Sequence, residues 1–375
     1  MKMIFDKLIP DANFWDAYTG LWENSQYQSS FQTPHFLKFL VLMLNDPPVV
    51  LRGYRDEKLI GVTCFYKRGS EFHFLSDMRT DHNYFILHKG ITKEETKQYF
   101  KNFFEEIGKR KWTFRLNNQP SWASYMDIFL EALSESQLFG KVLPFNPCLV
   151  LEAESPEALF NATNKQKLRQ KLNRLKEKDE VTFEAFQGEE DLDHWLEELY
   201  EVHIKRWADT STPSSYSDSS NRSFYKSCLL AWIKEGILVR FAIKLGSRRI
   251  AFVTALLENG YLVHHTTSFD RDYEKQSPGL IIINLIGRWM ADHNMTKMEF
   301  GDGGEDYKYQ FTKQEFPLLT IFISNSMNFP YILKTKLIKF LRENKAIRNF
   351  YIARIRPVLL RSKFLKKKIT YSFCC

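Results

Sequence analysis

The chain has 375 residues, 44% of them hydrophobic, a length that exceeds one ordinary core and suits two domains with an appendage. Its net charge of +8 is placed unevenly, because residues 331–375 carry 13 Lys and Arg against one acid, whereas residues 1–330 carry 40 basic and 44 acidic side chains. The basic surplus therefore describes a C-terminal extension and gives little support to a nucleic-acid-binding body.

The five cysteines, at positions 64, 148, 228, 374 and 375, follow neither a disulfide spacing nor a zinc spacing. The N-terminus lacks the uninterrupted apolar core of a signal peptide, and no stretch has the length needed to span a bilayer. We therefore expect a cytoplasmic protein without a bound metal, whose membrane contact, if any, is peripheral and at the inner face.

Both halves of the chain predict strands, then a helix, then a strand. Residues 48–88 alternate apolar and polar side chains between turn signals, which is typical of an antiparallel meander. An amphipathic helix at 92–109 and a strand at 112–116 follow. The second half repeats this order, which indicates an internal structural duplication. Its predicted elements are strands at 238–245, 250–257 and 261–267, a helix at 278–293 and a strand at 297–300.

Two segments join the halves. Ser155 and Pro156 suit the N-cap and first position of a helix, which we predict to continue through a basic stretch to about Lys178. The Ser-rich segment 210–221 has no periodic apolar residues, and we predict it to be a loop.

The helix predicted at 278–293 is apolar nearly all round, so it belongs in a core with only its N-terminus free to act. The amides of Gly279, Leu280 and Ile281 and the helix dipole would bind an anion there, and Gly279 has no side chain to block a pyrophosphate. The alternative is that Ser277-Pro278-Gly279 is only the capped start of a buried helix.

The run 301–311 (GDGGEDYKYQF) is the densest group of reactive side chains in the chain. Its glycines would let the backbone approach a ligand closely. A calcium loop is a poor alternative because the run lacks the EF-hand spacing, whereas a solvated turn remains an alternative.

In order and spacing, these segments resemble GNAT-fold acyltransferases of the FemAB and CelD kind, which often occur as tandem GNAT-like domains. The resemblance covers residues 165–312. It rests on Lys167–Lys171, His203–Trp207, Ile250-Ala251, Ser277–Leu280 and Phe300–Lys308.

The resemblance implies an α+β fold of two GNAT-like domains, each a mostly antiparallel mixed sheet flanked by helices. The expected boundaries are a degenerate N-terminal domain at 1–148, an acyltransferase domain at 149–329 and a basic amphipathic tail at 330–375. The usual GNAT phosphate loop has an Arg or Gln followed by two spaced glycines, and here only Gln276 and Gly279 match it.

The implied activity is N-acyl transfer from acetyl-CoA or another acyl-CoA, used as a co-substrate without any tightly bound cofactor. The acceptor would be an amine on a sugar, a lipid-linked saccharide or a peptide, in cell-envelope or polysaccharide biosynthesis. One alternative is a Fem-type aminoacyl transferase that uses charged tRNA. The other is a non-catalytic, membrane-associated binding protein.

The resemblance also implies the site residues. Donor phosphates would lie on Gln276, Ser277, Gly279, Leu280 and Ile281. Transfer to an amine needs a base, an oxyanion donor and a proton for the leaving group, and the predicted catalytic residues are Asp302 and Glu305 for the base, Lys308 for the oxyanion and Tyr307 for the proton. The predicted acceptor-binding residues are His203, Arg206, Trp207, His264, Lys167 and Arg169. For His264 and Trp207 core packing is an alternative, and for Lys167 and Arg169 a solvated helix face.

The tail combines apolar and basic residues. Between 331 and 370 it places Leu333, Leu337 and Phe340 among lysines, and it ends in Lys366-Lys367-Lys368. An amphipathic, polybasic segment is typical of binding to an anionic membrane surface. The final Cys374-Cys375 pair is a lipidation candidate or incidental.

Overall fold

The computed structural model describes residues 2–77, 79–210 and 213–344, together with residues 347, 350 and 354. The Lys366–Lys368 run and the Cys374-Cys375 pair lie outside the described residues. The strands, in chain order, are β1 (Lys2–Lys7), β2 (Val49–Arg55), β3 (Lys58–Arg68), β4 (Glu71–Phe74), β5 (Ile86–Leu87), β6 (Phe114–Pro120), β7 (Leu138–Glu152), β8 (Val181–Phe186), β9 (Leu238–Leu245), β10 (Arg248–Glu258), β11 (Tyr261–Phe269), β12 (Lys297–Asp302) and β13 (Glu315–Asn325).

The α-helices lie between these strands in the chain or follow them. In chain order they are α1 (Ala12–Glu23), α2 (Pro34–Leu42), α3 (Lys93–Arg110), α4 (Met126–Glu135), α5 (Pro156–Thr163), α6 (Gln166–Lys176), α7 (Leu192–Trp207), α8 (Ser219–Lys234), α9 (Pro278–Asp292) and α10 (Phe329–Glu343). Among the described residues, no helix combines the length and the apolar content that crossing a bilayer requires.

The first compact unit takes residues 2–27, 40–145 and the described residues from 318 onward. Its strand order is β1-β2-β3-β4-β6-β13, with β5 paired to β3. The β4–β6 pair is parallel and the others with a known register are antiparallel. An aromatic core packs between this sheet and α3, where Phe65 and Phe103 stack with ring centroids 5.8 Å apart.

The second unit takes residues 28–39 and 146–317. Its strand order is β7-β12-β11-β10-β9-β8, and only the β11–β12 pair in this order is parallel. The core consists of the inward side chains of β9–β11 and the apolar face of α9, including Ile281, Ile282 and Met290. In each unit one helix connects two parallel strands, α3 before β6 and α9 before β12, which confirms the predicted repeat.

Two connecting segments differ from the sequence prediction. The helix predicted from 156 to about 178 is broken into α5 and α6 around Asn164. Both helices pack on α9, and the change of direction lets each bury its own leucines, Leu159 in α5 and Leu168 in α6. In the Ser-rich segment, predicted to be a loop through residue 221, α8 already begins at Ser219 because the Asp218 side chain accepts a hydrogen bond from Ser220 N at 2.8 Å.

Residues 28–39 contribute to the second unit although they are distant in sequence. Ser30 N donates to the buried Glu258 carboxylate at 2.7 Å, and the Trp232 indole N–H donates to Ser30 O at 2.9 Å. Phe36 stacks on Trp232 with ring centroids 5.0 Å apart. These contacts fasten the segment to α8 and β10.

Candidate active site

The parallel strands β11 and β12 pair only briefly and then separate. Their register covers Leu262↔Met298 and Val263↔Glu299, whereas β11 continues to Phe269 and β12 to Asp302. Strands that diverge after a short parallel pairing leave an opening between their carboxyl ends. Backbone N–H and C=O groups that no longer pair between the two strands can then form hydrogen bonds to another molecule.

A β-bulge at His265 shapes the β11 side of this opening. The register with β10 passes from Thr254↔Thr266 to Ala255↔His264, so His265 is an extra residue. The bulge reverses the strand alternation and brings His264 and Thr267 to one face, where His264 Nε2 lies 3.0 Å from Thr267 Oγ1. Burial and then the nearby Lys308 charge lower the pKa of His264 to about 3. The imidazole is therefore neutral near pH 7 and is a weak base.

The acidic loop that follows β12 folds around Lys308. This side chain is only 3% exposed, and its Nζ donates to Asp302 O at 3.2 Å and to Gly303 O at 2.9 Å. The ammonium also forms an ion pair with Glu305 Oε2 at 2.8 Å. Two carbonyls and one carboxylate thus match the three hydrogens of the ammonium.

The carboxylates of the loop differ in exposure. The Glu305 side chain is 57% exposed, so its ion pair with Lys308 faces solvent on one side, whereas Asp302 is half-buried. Gly303 has a φ of 111° and lies against the Glu305 carboxylate, where an added Cβ would come within 2.7 Å of Oε1. The loop conformation therefore requires glycine at this position.

The C-terminal end of α7 packs against the end of β11. The Arg206 guanidinium lies over the Phe269 ring at 4.2 Å, and its Nη1 donates to Thr267 O at 3.2 Å. Burial lowers the pKa of Arg206, while the nearby Tyr307 and Glu274 side chains act in the opposite direction. The structure thus brings Arg206 and Tyr307 together beside the divergent end of β11.

His203 and Trp207 extend this region of α7. His203 Nδ1 lies 2.8 Å from Ser214 Oγ, and its ring stacks near Trp207 with centroids 6.0 Å apart. Burial, with a smaller contribution from Arg206, lowers the pKa of His203 to about 4, so this histidine is also neutral near pH 7. The buried indole N–H of Trp207 has no hydrogen-bond partner within the described part of the chain.

The N-terminus of α9 lies at the end of β11. The amides of Leu280 and Ile281 both donate to Ser277 O, at 2.9 and 3.1 Å, so they serve the first turn of the helix. An added Cβ on Gly279 would come within 2.8 Å of the Phe269 ring, which means that Gly279 makes room for this ring. The Gly279 N–H has no hydrogen-bond partner among the described residues and is a donor available to a ligand.

Basic side chains from α6 and its end approach this helix start. Lys171 Nζ donates to Ser277 Oγ at 2.6 Å. With the Gln276 amide in the orientation that satisfies both of its groups, its oxygen accepts from Lys178 Nζ at 3.1 Å and its nitrogen donates to Tyr273 O. The spacing of seven residues between Lys171 and Lys178, which would place both on one face of the helix predicted to reach Lys178, is the signal that could have indicated this pair.

The predicted residues Lys167 and Arg169 do not make these contacts. Lys167 is exposed, and Arg169 Nη1 donates to Asn164 O at 3.4 Å, in the turn between α5 and α6. Asp270, which is fully buried, fixes the segment before α9 through ion pairs with Lys205 at 3.1 Å and Arg248 at 2.8 Å.

Residues 162–309 match the family model described as Acetyltransferase (GNAT) domain. This chain carries a GNAT domain. The divergent β11–β12 pair, the bulge in β11 and the helix start beside it all lie within the matched segment. The chain as a whole has the fold of the FemAB and CelD kind, with two GNAT-like units, as the sequence predicted.

Solved structures resemble most of the chain in fold. FemX shares 11% identity over 88% of this chain and 98% of its own, with a TM-score of 0.58. L-PGS from Bacillus licheniformis shares 13% identity over 90% of this chain and 99% of its own, with a TM-score of 0.56. A conserved protein of unknown function from Bacteroides thetaiotaomicron VPI-5482 shares 12% identity over 86% of this chain and 100% of its own, with a TM-score of 0.57. Identities this low show a common fold and nothing about substrates. No curated protein matches the sequence.

Proposed function

We propose that this GNAT protein is an N-acyltransferase that moves an acyl group from acyl-CoA, such as acetyl-CoA, to an amine. The observation that supports the proposal most directly is the position of the basic helix start. Phe269, at the divergent end of β11, packs against Gly279, so the opening between β11 and β12 leads to the N-terminus of α9. One extended acyl-CoA molecule would place its thioester in the opening and its phosphates at the start of α9.

The residues at the helix start fit an anionic donor. The free N–H of Gly279, the positive end of the α9 dipole, and the Lys171 and Lys178 ammonium groups concentrate positive charge there. Gln276 and Ser277 position those two lysines. In this proposal Leu280 and Ile281 complete the first turn and do not bind the phosphates, because their amides donate to Ser277 O.

The loop after β12 would carry the transfer. The acceptor nitrogen attacks the thioester carbonyl, its proton passes to Glu305 or Asp302, the carbon–sulfur bond breaks, and the thiolate takes a proton from Tyr307. The proton held by the carboxylate then returns to the Tyr307 phenolate, which restores both groups. The products are an amide and free CoA. The low pKa of His264 makes it a poor base for this reaction, and we assign it to positioning Thr267 instead.

Lys308 would stabilise the oxyanion in addition to holding the loop. Its two carbonyl partners lie in the backbone and hold the side chain in place, whereas Glu305 is a mostly exposed side chain. If Glu305 turns toward the acceptor amine, one ammonium hydrogen becomes available to the developing oxyanion.

The acceptor would bind beside Arg206, whose charge suits a phosphate or a carboxylate, with the Trp207 indole and His203 next to it. We keep an amine on a sugar, a lipid-linked saccharide or a peptide as the acceptor class, in cell-envelope or polysaccharide biosynthesis in the cytoplasm. One structure of similar fold is named a C-terminal domain of a putative lysylphosphatidylglycerol synthetase from Agrobacterium fabrum, at 11% identity and a TM-score of 0.54.

A charged tRNA is the second candidate donor. Lys167, Lys171 and Arg174 form a stripe along one face of α6 at helical spacing, and Lys178 follows in the turn after the helix. A stripe spread over that distance suits a polyanion longer than the pyrophosphate of CoA.

Release of the CoA thiol from acetyl-CoA, measured with a panel of amines, tests the proposal. We expect Lys308→Met to lower kcat on the order of 100-fold, the loss typical of removing an oxyanion donor. Lys313→Met is the matched control, because Lys313 is exposed in the same loop, and it should retain wild-type activity. Wild-type activity in Lys308→Met would contradict the assignment. Activity with aminoacyl-tRNA alone would favour the second donor, and CoA binding without transfer to any amine would favour the non-catalytic alternative.

A further inference from the structure

Helix α10 presents a row of large apolar side chains to solvent. Phe329, Leu333, Leu337 and Phe340 are 71%, 69%, 55% and 52% exposed, and Met327 in the preceding turn is 77% exposed. Their spacing of four, four and three residues places the four helical side chains on one face. Several exposed large apolar groups on one face indicate an interaction surface. We call these five residues the apolar stripe.

The opposite face of α10 is fixed to the first unit, so the stripe cannot turn inward. Tyr331 is 5% exposed, packs with Leu143 and Phe322, and donates its hydroxyl to Phe114 O at 2.7 Å. Asn328 caps the helix and donates to Thr113 Oγ1 at 3.2 Å.

Two basic side chains extend this attachment. Lys334 pairs with the buried Glu71, and Arg342 donates to Pro144 O at 3.1 Å and to Phe145 O at 3.3 Å. The helix is thus held at both ends.

The charge beside the stripe is positive. Lys336 is exposed and lies at its margin by helical geometry, and Lys339 follows one turn later, 3.5 Å from Glu343. In the sequence beyond Glu343, nine Lys and Arg follow without a single Asp or Glu. A second copy of this chain would bring two such cationic helices together, which like-charge repulsion opposes.

We propose that α10 docks in the plane of an anionic lipid surface, with the apolar stripe entering the headgroup and acyl boundary and the lysines contacting the headgroups. An exposed apolar face next to a basic flank matches the two components of such binding, apolar burial and attraction to anionic lipid. This binding is independent of the acyl-transfer proposal, since all of its residues belong to the first unit.

Co-sedimentation with vesicles tests this surface. We expect the full chain to bind vesicles of equal parts phosphatidylglycerol and phosphatidylcholine and to bind pure phosphatidylcholine more weakly. Leu333→Ser/Leu337→Ser should bind the anionic vesicles at least about tenfold more weakly, because two large apolar side chains are lost from the contact. The matched control is Leu42→Ser/Met43→Ser, which removes side chains of similar exposure at the end of α2, and it should bind as the wild type does.

Sedimentation velocity without lipid tests whether a second copy of this chain, instead of lipid, covers the apolar stripe. The proposal predicts the same monomer mass for the wild type and for Leu333→Ser/Leu337→Ser. Self-association of the wild type that the double substitution abolishes would show that a second copy covers the stripe and would overturn the proposal. No binding of the wild type to anionic vesicles, or equal binding by the double variant, would overturn it as well.

Discussion

At the scale of the residue, Lys308 is unusual because lysine is rarely fully buried without a partner. Its ammonium donates to two backbone carbonyls and pairs with the Glu305 carboxylate, and each bond restrains the loop between Asp302 and Lys308. A side chain of similar length without charge would leave both carbonyls without a donor. The lysine therefore orders the loop before any substrate binds.

Lys308→Met should lower the free energy of unfolding by about 2 kcal/mol, the range expected for leaving buried polar partners unpaired. Urea unfolding at neutral pH measures the loss. Lys313→Met should change the free energy by less than about 0.5 kcal/mol, as exposed substitutions usually do. Equal stability of both variants would show that the Lys308 contacts do not hold the loop.

Buried histidines give the fold a sensitivity to acid. The pKa values of His73 and His264 are lowered to about 3 and that of His203 to about 4, in each case mainly by burial. The unfolded chain binds protons at these groups near pH 6.5, whereas the folded chain does so only at lower pH. The stabilisation is therefore present above pH 6.5 and is lost progressively as the pH falls toward 4 for His203 and toward 3 for His73 and His264.

With the substitution His203→Gln, the free energy of unfolding should fall less steeply as the pH decreases. Between pH 7 and pH 5 the wild type should lose about 1 to 2 kcal/mol more of its free energy of unfolding than the variant, as measured by urea unfolding at each pH. His194→Gln, on the same helix but with a side chain 68% exposed, should keep the wild-type dependence. The same pH dependence in His203→Gln and the wild type would contradict the burial argument.

These residue-level features were only partly predictable. The resemblance named Arg206, which the structure places at the end of β11, and Tyr307 and Lys308, which lie in the loop after β12. The His264–Thr267 hydrogen bond could not be predicted, because strict alternation puts residues three apart on opposite faces of a strand and only the bulge reverses this.

At the scale of the element, α9 contributes apolar side chains to the core of the second unit, and its N-terminus forms the candidate phosphate site. Its close contact with α5 depends on Gly287, where an added Cβ would lie 2.0 Å from Thr163 Oγ1. Thr163 is fully buried and cannot move aside freely. The packing of these two helices therefore sets where the start of α9 lies.

Gly287→Ala should lower the free energy of unfolding by about 1 to 3 kcal/mol through overpacking. Gly20→Ala, in the exposed part of α1 with open space beside it, should raise it by up to about 1 kcal/mol because alanine favours the helix. Thermal and urea unfolding measure both. A stabilising effect at Gly287 would contradict the close packing.

Elements with strong periodicity were predictable nearly to the residue. The strands β9, β10 and β11 and helix α9 match the predicted ranges because each alternates or repeats its apolar side chains without interruption. The sequence prediction missed the break between α5 and α6, although Thr163 and Asn164 are weak helix formers and Asn164 caps the end of α5. The packing of both helices on α9 decides the turn.

At the scale of the whole molecule, the order of strands and helices indicated two related units, and the resemblance identified their fold. The contribution of residues 28–39 to the second unit could not be predicted, because Ser30 and Phe36 contact residues about 200 positions away. Such pairings leave no local pattern in the sequence.

The account's central claim is that the second unit binds the phosphates of acyl-CoA at the start of α9. Isothermal titration of the full protein with CoA tests it most directly, comparing the wild type with Lys171→Glu and with Lys176→Glu, an exposed lysine on another face of α6. We expect CoA binding by the wild type, about tenfold weaker binding by Lys171→Glu and unchanged binding by Lys176→Glu. No CoA binding by the wild type, or equal affinities of wild type and Lys171→Glu, would contradict the claim.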